Sequence, residues 1–273
     1  MLPPDTEALV RRALEEDIGT GDFTSMCTID ADRQAEGRFF ARQPDCVVAG
    51  LEILPMIYEM RGGVDELRLG GARPEIAYVR GHARTLLECE RVALNFLQRL
   101  SGVATNGRKY VDAVAGTKCR ILDTRKTTPG WRNLEKMAAA AGGVHNHRMG
   151  LWDAILIKNN HLTAAGGVKA AWARVQACPD SAKAKRIEME VRTRAELDDA
   201  LECGVRHLLL DNLTPAEAAE WVRYIGDRAA TEISGGVTLA TVRAYAESGC
   251  DFISVGAITH SAVAVDINFR IEL

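Results

Sequence analysis

The chain has 273 residues, 47% hydrophobic and 26% charged, with Lys+Arg at 34 against Asp+Glu at 37 and a formal charge of −3. That balance fits a globular protein with ample core and excludes a disordered chain; with no net basic excess, it also argues against a nucleic-acid partner held by non-specific electrostatics. The length allows one α/β barrel or two unequal domains.

In chain order, residues 6–16 read as an amphipathic helix, 37–42 and 46–49 as short extended pieces, and 51–60 as a helix. Residues 65–69 and 76–80 read as further extended pieces, and 83–100 as a long helix. Strands and helices mixed without a regular beat predict an α+β arrangement up to about residue 110. Beyond it a strand-then-helix alternation sets in, with strands at 119–123, 154–158, 187–191, 207–211, 232–234 and 252–255. Such alternation means parallel strands with helical crossovers, and crossovers this short favour a barrel over an open doubly wound sheet. Thr193 with Glu196 and Thr214 with Glu217 form capping boxes, and Gly204, Gly226 and Gly249 stand where helices should end.

No apolar run approaches the roughly 18 residues of a membrane span, and the opening residues show neither a basic nor an apolar leader pattern. A cytoplasmic location is expected. Seven cysteines, an odd number without a C-x-x-C pair, disfavour a zinc ribbon and a disulfide scaffold. The basic residues are lopsided, with 26 Arg and 8 Lys. Arg suits carboxylates and phosphates, but only Arg at special positions gives that excess functional meaning.

Those positions are the strand ends. The apolar runs stop in Asp123-Thr-Arg-Lys126, Lys158-Asn-Asn-His161, Glu190, Asp211-Asn212, Ser234-Gly-Gly236 and Gly256. Parallel strands point one way, so these groups should converge on one face, where barrels and open α/β sheets bind ligands. Ser234-Gly-Gly236, before a helix expected near Thr238, and the second glycine loop at Gly256 suit a phosphate cradle. Arg125, Lys126, Arg148 and Lys158, with His147 beside them, would repel one another unless the ligand were strongly anionic. Glu190 and Asp211 face them and suit a divalent metal, sugar hydroxyls or a developing cation. Together these features suggest a phosphorylated sugar that becomes cationic in the transition state. Three alternatives stand beside this reading: a zinc pair at His145 and His147, a Schiff-base lysine at Lys158, and an anion-binding module without catalysis.

The motifs DTRKTTPG at 123–130, GGVHNHR at 142–148, ILIKNNH at 155–161, LDN at 210–212, SGG at 234–236 and SVGAITH at 254–260 closely resemble the quinolinate phosphoribosyltransferase family. EDIGTGDFTS at 16–25 and ERVALNFL at 90–97 extend the resemblance over nearly the whole chain. The resemblance implies phosphoribosyl transfer from phosphoribosyl pyrophosphate to quinolinate with decarboxylation. The products would be nicotinate mononucleotide, pyrophosphate and CO2, in de novo NAD biosynthesis. It further implies Mg2+ without an organic cofactor, and a homodimer. The implied fold is an N-terminal α/β sandwich domain at 1–110, completed by the tail 264–273, and a TIM-like α/β barrel with fewer than eight strands at 111–263.

Carried over position by position, Arg125, His147, Arg148 and Lys158 are implied to hold quinolinate, with Arg91 supplied by the neighbouring subunit. Thr124, Lys126, Glu190, Asp211, Ser234, Gly235, Gly236, Gly256, Ala257 and His260 match the phosphoribosyl pyrophosphate region. Glu190 and Asp211 are the implied magnesium ligands, directly or through water, and with Lys158 the implied catalytic groups. Two positions depart from the pattern: Asn159, where an acid is common, and Val144, where a third glycine is common. Both bear on loop geometry. A related group associated with molybdenum transport genes shares the DTRK and HR elements but is expected to carry an apolar residue in place of Lys158.

Overall fold

The computed structural model describes residues 2–273, whose contacts divide into two units. The first holds the described chain up to Arg108 with Thr128–Gly143 and Ser261–Leu273; the second holds Lys109–Thr127 and Val144–His260. The strands, in chain order, are β1 (Gln34–Ala41), β2 (Glu66–Leu69), β3 (Glu75–His82), β4 (Arg120–Leu122), β5 (Ile155–Ile157), β6 (Ile187–Val191), β7 (His207–Asp211), β8 (Ala230–Ser234), β9 (Phe252–Ser254) and β10 (Ile267–Glu272).

In the first unit a four-stranded antiparallel sheet runs β10-β1-β3-β2, so the C-terminal tail supplies an edge strand to β1. Alternation along β1 buries Ala35, Phe39 and Ala41, and the Phe39 ring packs on Phe269 at 4.8 Å between centroids. The piece at 46–49, expected to be extended, joins no sheet. Its amides bond to helix side chains instead: Val47 N–H to Thr105 Oγ1 at 2.9 Å and Ala49 N–H to Ser101 Oγ at 3.1 Å. Those partners lie on the helix Ala83–Ala113, which runs well past the expected end at Leu100. Ser101-Gly102 resembles a helix stop, yet a Cβ at Gly102 would meet the Val263 carbonyl, so this glycine serves close packing.

The helix Arg132–Ala141 also groups with the first unit, although the expected boundary at 110/111 put residues 128–143 in the second. The cause is a set of tertiary contacts: fully buried Glu135 pairs with Arg99 Nη2 at 2.6 Å, and Trp131 stacks on Phe96 at 4.7 Å.

The second unit carries a six-stranded parallel sheet in the order β4-β9-β8-β7-β6-β5. From β5 to β9 each strand neighbours its successor, and the last returns to pair with the first. That cyclic order belongs to a barrel, whereas a doubly wound sheet reverses direction at a switch point. The barrel has fewer than eight strands, and no ladder pairs β4 with β5. At that gap an extended segment runs beside β4: His145 N–H donates to Ile121 O at 2.9 Å and Asp123 N–H to His145 O at 3.1 Å.

Period-two alternation decides what faces inward. Met189, Val191, Leu208 and Leu210 pack against Leu197, Trp221 and Ile225 of the surrounding helices, which leaves Glu188, Glu190, Leu209 and Asp211 on the other face. Both capping boxes are formed, with Thr193 and Thr214 accepting from the backbone N–H of Glu196 and Glu217. Among the described residues no helix is long and apolar enough to cross a membrane.

Candidate active site

A cleft of about 690 Å³ opens at the C-terminal ends of the parallel strands in the second unit. Of the residues singled out from the sequence, Thr124, Arg125, Lys126, His147, Arg148, Lys158, Glu190, Asp211, Ser234, Gly235, Gly236, Gly256, Ala257 and His260 all line it. Arg91 does not; it is exposed on the helix Ala83–Ala113 of the first unit. A separate depression of about 480 Å³ beside Leu151, Trp152 and Val175 contains none of these strand-end groups.

Part of the lining is cationic. Arg148 is 8% exposed and its guanidinium donates to Ala154 O at 3.1 Å. Burial and then the charge of Arg125 lower its pKa, and together they outweigh the opposing charge of Glu188. Lys158, at the end of β5, precedes the helix Asn159–Ala165, and its half-exposed ammonium stands 3.9 Å from Glu190 Oε2. A half-exposed lysine beside a carboxylate lacks the desolvated surroundings that Schiff-base chemistry needs. The loop carrying Lys126 is anchored by Thr259 Oγ1, which donates to Lys126 O at 2.8 Å.

The same cleft carries two acids. Glu190 Oε1 accepts the Asn159 N–H at 3.2 Å, and Asp211 Oδ2 accepts from Asn212 Nδ2 at 2.8 Å. Between the two carboxylates lies Arg192, absent from the sequence-based set, with Nη2 at 3.1 Å from Glu190 Oε1 and 3.1 Å from Asp211 Oδ2.

The glycine loops close the far end. Gly235 has φ of 95°, and a Cβ there would run into the Asn212 side chain, itself at a positive φ of 59°. At Gly256 a Cβ would press on the Lys126 side chain and the His260 ring, so the backbone comes close to both. The helix expected near Thr238 begins only at Val242, after a turn closed by Thr238 and Thr241. A cradle at Ser234-Gly-Gly236 therefore rests on glycine backbone alone, without an adjoining helix dipole.

Under the cleft lies a buried charge network that the sequence reading missed. His147 Nε2 faces Glu188 Oε2 and Glu232 Oε1 at 3.4 Å each, and Arg186 Nη2 donates to Glu188 at 3.0 Å. Fully buried Asp123 fixes the approach by accepting the His147 N–H at 2.9 Å. Burial raises Glu188, but His147 and Arg186 outweigh it and leave its pKa lowered. Glu232 is pushed up by burial and by Glu188, which outweigh the opposing pull of His147 and Ser254. Ligand-type atoms of His147, Glu188 and Glu232 lie within 4.8 Å of one another. The Arg186 guanidinium already supplies a fixed cation there, and His145 is exposed while His147 is buried, so the two histidines form no zinc pair.

Two influences oppose each other at His147. The Arg148 N–H donates to Nδ1 at 2.7 Å, which favours a neutral ring protonated on Nε2. Such a bond is worth about 1 kcal/mol, against about 4 kcal/mol for unit charges about 4 Å apart at an effective dielectric near 20. Burial also opposes the cation, yet the carboxylates prevail and His147 is pushed up to about 9. A histidine raised in the folded state contributes stability that is complete below its unfolded value of about 6.5. That stability is lost as pH rises through about 9. Unfolding midpoints are therefore expected to decline across this window, and His147→Gln to flatten the decline; an unchanged slope in the variant would assign the titration elsewhere.

Comparison with known proteins finds relatives along the whole chain. The quinolinate phosphoribosyl transferase N-terminal domain model matches residues 22–101, and the C-terminal domain model matches residues 103–270. The chain is 40% identical over 298 residues to the chloroplastic nicotinate-nucleotide pyrophosphorylase (carboxylating) of Arabidopsis thaliana, covering 98% of this chain and 83% of the relative. It is 37% identical to the probable nicotinate-nucleotide pyrophosphorylase (carboxylating) of Bacillus subtilis, covering 94% and 90%. The crystal structure of NadC from Streptococcus pyogenes superposes with a TM-score of 0.92 at 32% identity, over 100% of this chain and 98% of that one.

Proposed function

The chain belongs to the quinolinate phosphoribosyl transferase family, and from that premise we propose that it transfers the phosphoribosyl group of phosphoribosyl pyrophosphate to quinolinate with loss of CO2. The products are nicotinate mononucleotide and pyrophosphate, and the step belongs to de novo NAD biosynthesis. The observation that carries this reading is a single cleft lined at once by the cations Arg125, Arg148 and Lys158, the acids Glu190 and Asp211, and the glycine loops at Gly235 and Gly256.

Each part has chemical work in that reaction. The crowded cations Arg125, His147, Arg148 and Lys158 meet the two carboxylates of quinolinate, which relieve their mutual repulsion. The backbone at Ser234, Gly235, Gly236, Gly256 and Ala257, with Thr124, Lys126 and His260, holds the phosphorylated sugar. As pyrophosphate departs, positive charge develops on the ribose, and Glu190 and Asp211 stabilise it electrostatically. Once the pyridine nitrogen is ribosylated, its positive charge stabilises the carbanion left on the adjacent ring carbon as CO2 departs, and a proton from solvent then replaces the lost carboxylate, so no organic cofactor is required.

Glu190 and Asp211 are the proposed magnesium-binding pair. Their oxygens fit a cation, since they converge on one guanidinium nitrogen. When bound, Mg2+ supplies charge neutralisation to the pyrophosphate leaving group. Incubation with Mg2+, phosphoribosyl pyrophosphate and quinolinate is expected to give nicotinate mononucleotide, whereas nicotinate in place of quinolinate gives none. Product from nicotinate would point to a salvage enzyme; ligand binding without turnover would point to a binding module.

The proposed assembly is a homodimer in which Arg91 reaches the neighbouring site, and the proposed compartment is the cytoplasm. Free thiols at all seven cysteines are in keeping with a reducing environment. Unfolding Arg91→Ala and Lys158→Ala chains together and refolding them is expected to restore part of the activity, because one hybrid site regains both residues. Well-formed heterodimers without recovery would argue against a shared site.

A further inference from the structure

We infer that Arg192 is an internal latch: its guanidinium bridges Glu190 and Asp211 at the position a divalent cation would take and is displaced when the metal arrives. The inference rests on the proposed role of those two carboxylates as the magnesium-binding pair.

Three observations carry it. First, one nitrogen, Nη2, lies 3.1 Å from an oxygen of each acid, and Nε adds a bond of 3.1 Å to Asp211, so the group stands where a bridging cation would stand. Second, the partners differ in burial: the Glu190 and Asp211 side chains are 5% and 12% exposed, whereas that of Arg192 is 44% exposed. Two nearly buried acids need a counter-ion, and the cation shared by both, unlike Lys158 beside Glu190 alone, is half in solvent and free to leave. Third, the main chain at Arg192 is pinned independently, because its N–H donates to Glu196 Oε2 at 2.7 Å beside the Thr193 capping box. The side chain can therefore swing while β6 and the following helix stay fixed.

Metal and guanidinium cannot share the position, since each is a cation that needs the same oxygens. The latch thus sets a competition: free metal binds weakly, and metal carried by a diphosphate, which also recruits the glycine loops, displaces Arg192. Once released, the planar guanidinium is suited to meet phosphate oxygens.

The test measures Mn2+ binding to the full-length protein by electron paramagnetic resonance, without substrate, in the wild type, Arg192→Gln, Glu190→Gln and the double variant. Arg192→Gln is expected to tighten Mn2+ binding by roughly two- to tenfold, the scale of a half-exposed ion pair. Arg192→Lys, which keeps the charge but loses the fork, is expected to fall between. The double variant is expected to lose the gain. A purely structural Arg192 would give the opposite sign, with weaker Mn2+ binding on removal, and that result overturns the latch. Equal binding in wild type, Arg192→Gln and Arg192→Lys, with loss in Glu190→Gln, also overturns it while leaving the magnesium reading in place. Mn2+ binding unaffected by Glu190→Gln would overturn both.

Discussion

Lys158→Ala is expected to lower turnover by about 10²- to 10³-fold, the scale of removing one preorganised charge from a transition-state site, while leaving the unfolding midpoint almost unmoved. Its ammonium is half exposed and pairs only loosely with Glu190, at 3.9 Å. The bond that fixes the start of the following helix comes from the Lys158 backbone, whose N–H donates to His161 Nδ1 at 2.9 Å and survives in the alanine variant. Initial rates and thermal unfolding on the same preparation separate the two roles. Near-normal synthesis of nicotinate mononucleotide by a folded variant would remove Lys158 from the site.

Glu188→Gln and Glu232→Gln are expected to move stability in opposite directions although both acids are nearly fully buried and face the same imidazole. Glu188 is held ionised by His147 and Arg186, so neutralising it strands charge in the interior, at a cost of roughly 3 kcal/mol. Glu232 is raised by burial and by Glu188, against the weaker opposing pull of His147 and Ser254. A neutral amide of the same shape there relieves a penalty and is expected to be neutral or stabilising. Urea unfolding at pH 7 measures both; equal losses would mean that the two acids share one role. A buried acid held beside a second acid in the cleft lining is a stability cost of the kind retained at working sites.

Much of this was legible in the sequence, for identifiable physical reasons. Strand positions followed from apolar runs, and the caps at Thr193 and Thr214 followed from local chemistry that tertiary contacts left alone. Parallel strands then dictated that Arg125, Lys158, Glu190, Asp211 and Ser234 would meet. What escaped was decided at a distance. Gly102 looked like a helix end until the Val263 carbonyl was beside it, and the 46–49 piece found its bonds on Ser101 and Thr105. The pattern Ile-Glu-Met-Glu-Val at 187–191 did carry a signal, since alternation places both glutamates on the face opposite the helices. What that pattern does not show is the role of Glu188, which is set by His147 of a distant loop. Arg192 gave no local sign, as its meaning depends on Asp211 of the neighbouring strand.

The most direct test follows CO2 released from quinolinate labelled in its 2-carboxyl group, with phosphoribosyl pyrophosphate and Mg2+ present, against nicotinate mononucleotide formed in the same tube. A cleft lined by both cations and acids, read as the site of coupled transfer and decarboxylation, predicts that label and nucleotide appear in equal amounts, and that neither appears without phosphoribosyl pyrophosphate. Label released without the nucleotide, or nucleotide made from nicotinate with no label lost, would contradict it.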